Sequence, residues 1–260
     1  MERVALVTGG GSGMGRLAAQ RWADAGMRVV AVDVNDDGLG ETVGGRTNLH
    51  AQHCDVTDEA EVARVVKQVE SDHGPIMRVL NAAAIARVGS LLQQDLADVR
   101  ALFNVNVIGT AIVCQATVPG MLERGRGEVI NFASLAGWIP QPKMGAYCAT
   151  KFAMVAYTEA LWMENRDRGV SFHCVCPPAV ETPMLPDFFA EEAKRRKSMA
   201  IEPEKVIDEV DRAIRTGRFL VLPSAMGKVL WRTRRHTPNL LRRALTAERF
   251  DLVSEQPSTK

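Results

Sequence analysis

Short runs rich in valine and isoleucine alternate with helical stretches along most of the chain, and this alternation limits the fold more than any other feature. The runs at 3–7, 28–33, 49–54, 78–81, 128–133 and 170–176 read as strands, and 218–222 as a last one. Several are apolar throughout, which is the pattern of strands covered on both faces. Helical periodicity occupies 15–25, 59–71, 96–122, 146–168 and 203–216 between and after them. Gly26 and Gly169 stand where two of these helices stop, and Thr57 and Asp58 are candidate caps for the second. Strand and helix in turn predict right-handed crossovers onto a parallel sheet, an α/β doubly wound domain with helices on both faces.

No linker, repeat or low-complexity segment divides the chain. Residues 1–222 are therefore expected to form one domain, followed by a C-terminal helical extension over 223–260. Pro177, Pro178, Pro183 and Pro186 mark a long irregular loop, about 177–203, that reads as the substrate loop. A charged helix is predicted at 191–197 inside it.

Composition enters mainly by exclusion. A formal net charge of +1 gives no global field for steering onto nucleic acid, and no nucleic-acid partner is expected. The five cysteines show no C-x-x-C pair, so neither a disulfide framework nor a zinc site is expected, and no metal is assigned. Buried thiols in a reducing compartment fit that pattern, and with no signal-like or membrane-length apolar stretch read in the sequence, a cytoplasmic location is expected.

The loop Thr8-Gly9-Gly10-Gly11-Ser12-Gly13-Met14-Gly15 follows the first strand and opens the first helix. Glycines there admit a pyrophosphate to the backbone, and the free N–H groups of the helix start face the anion. Asp33 ends the second strand, where a carboxylate accepts hydrogen bonds from a ribose diol and repels a 2′-phosphate. NAD is therefore expected in preference to NADP. Arg16 reads as a helix-surface residue rather than a phosphate ligand. Gly10 and Gly15 have the spacing of a nucleotide-hydrolase loop, but Arg16-Leu17 stands where Lys and Ser/Thr are required, which sets hydrolysis aside.

Tyr147-Cys148-Ala149-Thr150-Lys151 lies near the start of a long helix. Residues four apart share a helix face. A free tyrosine titrates near 10, and a neighbouring cation favours the phenolate, so the pair is expected to act as one acid/base.

With these residues in place, the chain resembles the short-chain dehydrogenase/reductase family over nearly its whole length. The family's T-G-x-x-x-G-x-G is matched by Thr8, Gly9, Gly13 and Gly15, and its Y-x-x-x-K by Tyr147 and Lys151. The resemblance implies a Rossmann-type sheet and catalytic roles for Asn106, Ser134, Tyr147 and Lys151. Tyr147 would move the substrate proton, Ser134 hold the substrate oxygen, Lys151 lower the Tyr147 pKa and hold the nicotinamide ribose, and Asn106 hold a relay water. Cofactor contacts are implied for Gly9, Ser12, Gly13, Met14, Gly15, Asp33, Asp55, Val56, Asn81, Tyr147, Lys151 and Thr182. Two departures stand out: Asn81-Ala82-Ala83-Ala84 replaces N-N-A-G, and Pro177-Pro178 replaces Pro-Gly.

The function expected is hydride transfer between NAD(H) and the hydroxyl or carbonyl carbon of a small apolar alcohol or ketone. Met184, Leu185, Phe188 and Phe189 motivate the apolar substrate, and Met144 and Met199 are further pocket candidates. A catalytically silent NAD-binding scaffold or sensor is the alternative; a methyltransferase has no use for the Tyr–Lys pair. Apolar residues on more than one face of the helices near 102–118 and 153–163 predict a homodimer or homotetramer. His173 and Trp22 read as core residues. The tail has an excess of five positive charges over 224–260. It reads first as a helix packed on the body with a solvated basic face, with peripheral membrane contact as the less favoured use.

Overall fold

The computed structural model describes residues 4–184 and 200–247. Among them, seven parallel strands form one sheet in the order β3-β2-β1-β4-β5-β6-β7. The strands are β1 (Val4–Thr8), β2 (Arg28–Asp33), β3 (Leu49–His53), β4 (Ile76–Asn81), β5 (Gly127–Phe132), β6 (Val170–Val175) and β7 (Leu220–Val221). All seven predicted strands are present, with ends displaced by a residue or two. Successive residues of β1 serve the two faces in turn. Val4 and Leu6 join one apolar core; Ala5 and Val7 join the other.

The helices are α1 (Gly13–Asp24), α2 (Asp36–Val43), α3 (Glu59–His73), α4 (Leu96–Phe103), α5 (Thr110–Glu123), α6 (Gly145–Asn165) and α7 (Pro203–Thr216). Helix α2 is absent from the sequence reading. Two glycines in eight residues hide it, and tertiary contacts supply what propensity lacks. The Asn35 side chain caps it by accepting from the Gly38 N–H, Leu39 is buried, and the Thr42 hydroxyl donates to Gly10 O at 2.8 Å.

Residues 96–122 read as one helix, but α4 and α5 are separated by a π-helical turn, Asn104–Gly109. The whole run, Leu96–Glu123, has the length and apolarity of a membrane span, contrary to the reading that no such stretch exists. Here it packs on the sheet: Val113, Cys114, Val118 and Met121 of α5 share a core with Val4, Leu6 and Val129 of the strands.

His173 and Trp22 are core residues, as expected. His173 is fully buried with both ring nitrogens engaged, by Arg218 O at 2.8 Å and Ser171 Oγ at 3.0 Å. The Trp22 indole donates to Asp211 and lies under the Arg78 guanidinium. The predicted helix at 191–197, with Leu185, Phe188, Phe189 and Met199, lies outside the described residues.

The chain continues past β7 as α8 (Ala225–His236) and α9 (Pro238–Ala247). These helices are not a separate body. Leu241 is buried, and Leu230 and Trp231 are partly buried, in a core shared with Ala133, Leu135, Ile139 and Cys176.

Candidate active site

The sheet order reverses between β1 and β4, so the connections leaving their carboxyl ends turn apart and open a crevice. Thr8 and Asn81, the last residues of those strands, are partners in the ladder. Beyond them, the Thr8 hydroxyl accepts from the N–H groups of Ala82 and Ala83, both at 3.2 Å, which draws the β4 exit against the glycine loop. The approach is close enough that a Cβ on Gly9 would lie 2.7 Å from the Ala82 carbonyl carbon.

The crevice is a cleft of about 340 Å³. Its floor is the glycine loop. Gly15 rests so closely on the Gly9 carbonyl that a Cβ there would come within 2.1 Å of the oxygen, so no other residue fits the turn. The first turn of α1 contains no acidic residue, and Ser12 makes no side-chain cap bond, so the helix N-terminus presents its N–H groups without a competing side chain. Such a turn fits a pyrophosphate. Asp33 forms a wall. Its carboxylate accepts from Gly11 N–H at 2.9 Å and Asn35 N–H at 3.1 Å, which fixes its position and leaves lone pairs for a diol. Thr182 closes the other side, 3.4 Å from the position of a Gly13 Cβ. Asp55 and Val56 also line the cleft, with the Asp55 carboxylate engaged by the Thr57 N–H and hydroxyl.

Arg16 does more than the surface role read from the sequence. Its guanidinium donates to the carbonyl of Gly38 at 3.2 Å as well as to that of Gly11, and pairs with Glu41 at 2.7 Å, tying the glycine loop to α2.

Asn81 takes a different position from the one expected of a cofactor ligand. Its side chain is buried within the sheet, donating to Asn131 Oδ1 at 2.8 Å, and the cleft wall is made instead by Ala82, Ala83 and Ala84. Ala82, Ala83 and Ala84 are the departure from the family's N-N-A-G read in the sequence. Ile85 and Val105, absent from the sequence reading, complete the wall at the catalytic end.

Three elements converge there: the π-helical turn, the exit of β5 and the start of α6. Asn106 comes from the π-helical turn, where such distortions often mark functional sites. Its side chain is spent on structure: Oδ1 accepts from Ile85 N–H at 2.8 Å, and Nδ2 donates to Ile85 O at 3.0 Å and Thr150 Oγ1 at 3.1 Å. Its two amide hydrogens are thereby used, and one lone pair of Oδ1 is left over. Thr150, buried between Tyr147 and Lys151, is the other missed residue. It passes the contact on by donating to Tyr147 O at 2.7 Å. Ser134 follows β5, its hydroxyl accepting from Ala136 N–H at 3.1 Å and donating to Pro177 O at 3.4 Å, and it acts on the Tyr147 hydroxyl by opposing the rise of its pKa. Lys151 is fully buried and donates to Phe132 O at 2.9 Å.

The electrostatics differ from the sequence expectation. Burial pushes the Tyr147 hydroxyl up to about 12, only partly opposed by the Ser134 hydrogen bond. The Lys151 ammonium, 5.7 Å from the ring centroid and turned toward Phe132, does not reverse this. Burial also drives Lys151 down to about 8 from its ordinary 10.5. In the folded chain Lys151 thus releases its proton before the unfolded chain does. Stability is lowest while the ammonium is charged and rises as pH climbs from about 8 toward 10.5. Tyr147 acts in the opposite sense above about pH 10, where the unfolded chain loses a proton that the folded chain keeps. Urea titrations at about pH 7.5 and about pH 9.5 should therefore show the parent gaining about 2 kcal/mol relative to Lys151→Met. An equal response in both proteins would refute the depressed lysine.

Residues 3–193 match the family described as short chain dehydrogenase. D-threitol dehydrogenase of Mycolicibacterium smegmatis is 36% identical over 184 residues, covering 69% of this chain and 71% of that protein. Estradiol 17-beta-dehydrogenase 11 of Macaca fascicularis is 29% identical over 231 residues, covering 86% and 75%. The crystal structure of a short chain dehydrogenase/reductase from Burkholderia phymatum in complex with NAD superposes with a TM-score of 0.84 at 26% identity, covering 92% of this chain and 95% of that one. The chain belongs to the short-chain dehydrogenase/reductase family. It is an oxidoreductase that transfers hydride between a nicotinamide cofactor and an alcohol carbon.

Proposed function

We propose that the protein is an NAD-dependent dehydrogenase or ketoreductase acting on a small apolar alcohol or ketone, with Tyr147 as the acid/base. The observation that carries this reading is the meeting of half-buried Tyr147 and Ser134 with buried Lys151 and Asn106 in one cluster beside the Ile85–Val105 end of a glycine-floored cleft. When bound, the nicotinamide ring accepts or gives the hydride. In the oxidative direction, Ser134 holds the substrate oxygen while Tyr147, in its deprotonated form, takes its proton; in reduction the protonated Tyr147 gives that proton back. Lys151 supplies positive charge beside that oxygen below about pH 8 and holds the nicotinamide ribose. Asn106 fixes the Ile85 backbone and Thr150, and so the helix turn that carries Tyr147 and Lys151. Formation of NADH with apolar secondary alcohols tests the assignment; a chain that binds NAD and oxidises none of a broad panel is the silent scaffold instead.

The preference for NAD rests on Asp33, with no cation following it at Val34 or Asn35. Replacing Asp33 by Ala should weaken NAD binding about ten- to hundredfold, the contribution of hydrogen bonds to a charged group, and narrow the gap to NADP. Asp33→Asn, which keeps an acceptor for Gly11, separates the ribose contact from loop geometry. Tighter NADP than NAD binding in the parent, by intrinsic fluorescence, would overturn the preference.

Apolar side chains at the catalytic end support an apolar substrate. Leu91 packs on Gly145, two residues before Tyr147, and Met184 stands half-exposed at the cleft. Exposed Phe103, Ile108, Phe152 and Met163 on the α4–α6 surface support a homodimer or homotetramer. Light scattering at micromolar concentration should give a mass of two or four chains, and a monomer would contradict it. Five free, buried cysteines support a reducing, cytoplasmic setting.

A further inference from the structure

We propose that the outer face of α8 and the adjoining start of α9 form a docking surface for anionic lipid bilayers. The inference is independent of the catalytic assignment. From 224 to 247 the chain holds six Lys/Arg residues and no Asp or Glu. The structure sorts these residues by face. Leu230, Trp231 and Leu241 turn inward onto the catalytic domain, and Arg234 is held inward by its bond to Trp138 O. Lys228, Arg232, Arg235, Arg242 and Arg243 are exposed. No carboxylate meets Lys228 or Arg232 among the described residues.

Charge alone would suit any anionic partner. The apolar residues placed among the cations make the choice. Met226, Val229 and Leu240 are 58%, 55% and 63% exposed although Leu230 and Leu241, their chain neighbours or near neighbours, are drawn into the core. On α8, Met226 and Val229 are three apart and Val229 and Arg232 three apart again, so they share the outward stripe with Lys228. Nucleic acid uses the cations and leaves Met226 and Val229 without a role. A lipid surface uses both: phosphate groups take the cations, and the acyl boundary takes the short apolar side chains. The inward contacts fix the depth. With Trp231 and Leu241 committed to the body, the helices lie on a bilayer rather than inserting into it.

The test is flotation of the full-length protein with vesicles of phosphatidylcholine alone, or with about one third phosphatidylglycerol, in low and high salt. Binding is expected on the anionic vesicles at low salt and is expected to fall steeply with salt, each surface cation being worth about fivefold in partitioning. Lys228→Glu with Arg232→Glu should abolish binding, Lys228→Gln with Arg232→Gln should weaken it, and Met226→Ser with Val229→Ser should weaken it at unchanged charge. Circular dichroism and thermal melting of each variant establish that the fold is kept. Absence of binding to anionic vesicles at low salt overturns the proposal. So does binding indifferent to the Glu pair, or retention of a short DNA duplex by a protein that ignores vesicles.

Discussion

Tyr147→Phe should bind NAD as the parent does and lose nearly all turnover. The ring stays in its half-buried site, and neither the glycine loop nor Asp33 is touched, so the cofactor sees the same cleft. Only the hydroxyl, whose titration Ser134 influences, is removed. Loss of a positioned acid/base costs ~10²–10⁴-fold. Single-turnover rates with saturating NAD, beside a binding titration, separate the two effects. Turnover within a few-fold of the parent would remove Tyr147 from the chemistry. A parallel loss of NAD affinity would mean that the hydroxyl acts on the cofactor. Because burial holds the phenol near 12, oxidation by the parent should also rise with pH through the neutral range, and the Phe variant should lack that rise.

The parts of this site that the sequence made legible share a cause. Gly9, Gly13, Gly15 and Asp33 lie at strand exits or helix starts, where residue type follows from backbone geometry or from the charge of the ligand, so one residue in one place carries the information. The Tyr–Lys spacing is legible for the same reason, since the helix period alone puts the two on one face. What remained hidden depends on neighbours far along the chain. Asn81 has the chemistry of a ligand and a place at a strand end, yet Asn131, fifty residues on, draws its side chain into the sheet. The alanines that replace it on the cleft wall are chosen by space. The π-helical turn at Asn104–Gly109 is invisible to periodicity because it preserves the apolar stripe on either side while shifting the register between them.

The tyrosine pKa departs from what the spacing implies for a related reason. Four residues of helix predict that Lys151 is near Tyr147, and it is. Spacing says nothing of the water removed from around both. Burial raises the acid and lowers the base, and this outweighs an attraction acting across 5.7 Å to the ring centroid. The same limit applies to the tail. Its amphipathic pattern is plain in sequence, but the surface that receives it is not.

Truncation after Leu222 should therefore cost both stability and turnover, although it removes none of the residues proposed for catalysis. The segment after Ser134 lies between two supports. On one side Gly137 rests on α6, so closely that a Cβ there would lie 2.5 Å from Lys151 O. On the other, Trp231 packs edge-on to Trp138 at 5.9 Å, and Arg234 donates to the Trp138 carbonyl at 3.3 Å. The Trp138 indole in turn donates to Cys176 Sγ at 3.4 Å, one residue before the Pro177 carbonyl that accepts from Leu135 N–H. Removing α8 and α9 uncovers Leu135, Ile139 and Leu222 and deletes the burial of Leu230, Trp231 and Leu241. At ~1.5–3 kcal/mol per fully buried apolar side chain, this is a large part of the ~5–15 kcal/mol that holds a domain together. Arg234→Gln isolates the catalytic share, because it cuts the tie to Trp138 and leaves the apolar contacts in place. It should lower kcat several-fold, with KM for NAD unchanged, since the tie ends beside Ser134 and not at the glycine loop. A truncated chain with the melting point and kcat of the parent would make the tail an appendage, and an equal loss in kcat and in NAD affinity for Arg234→Gln would place its action at the cofactor cleft instead.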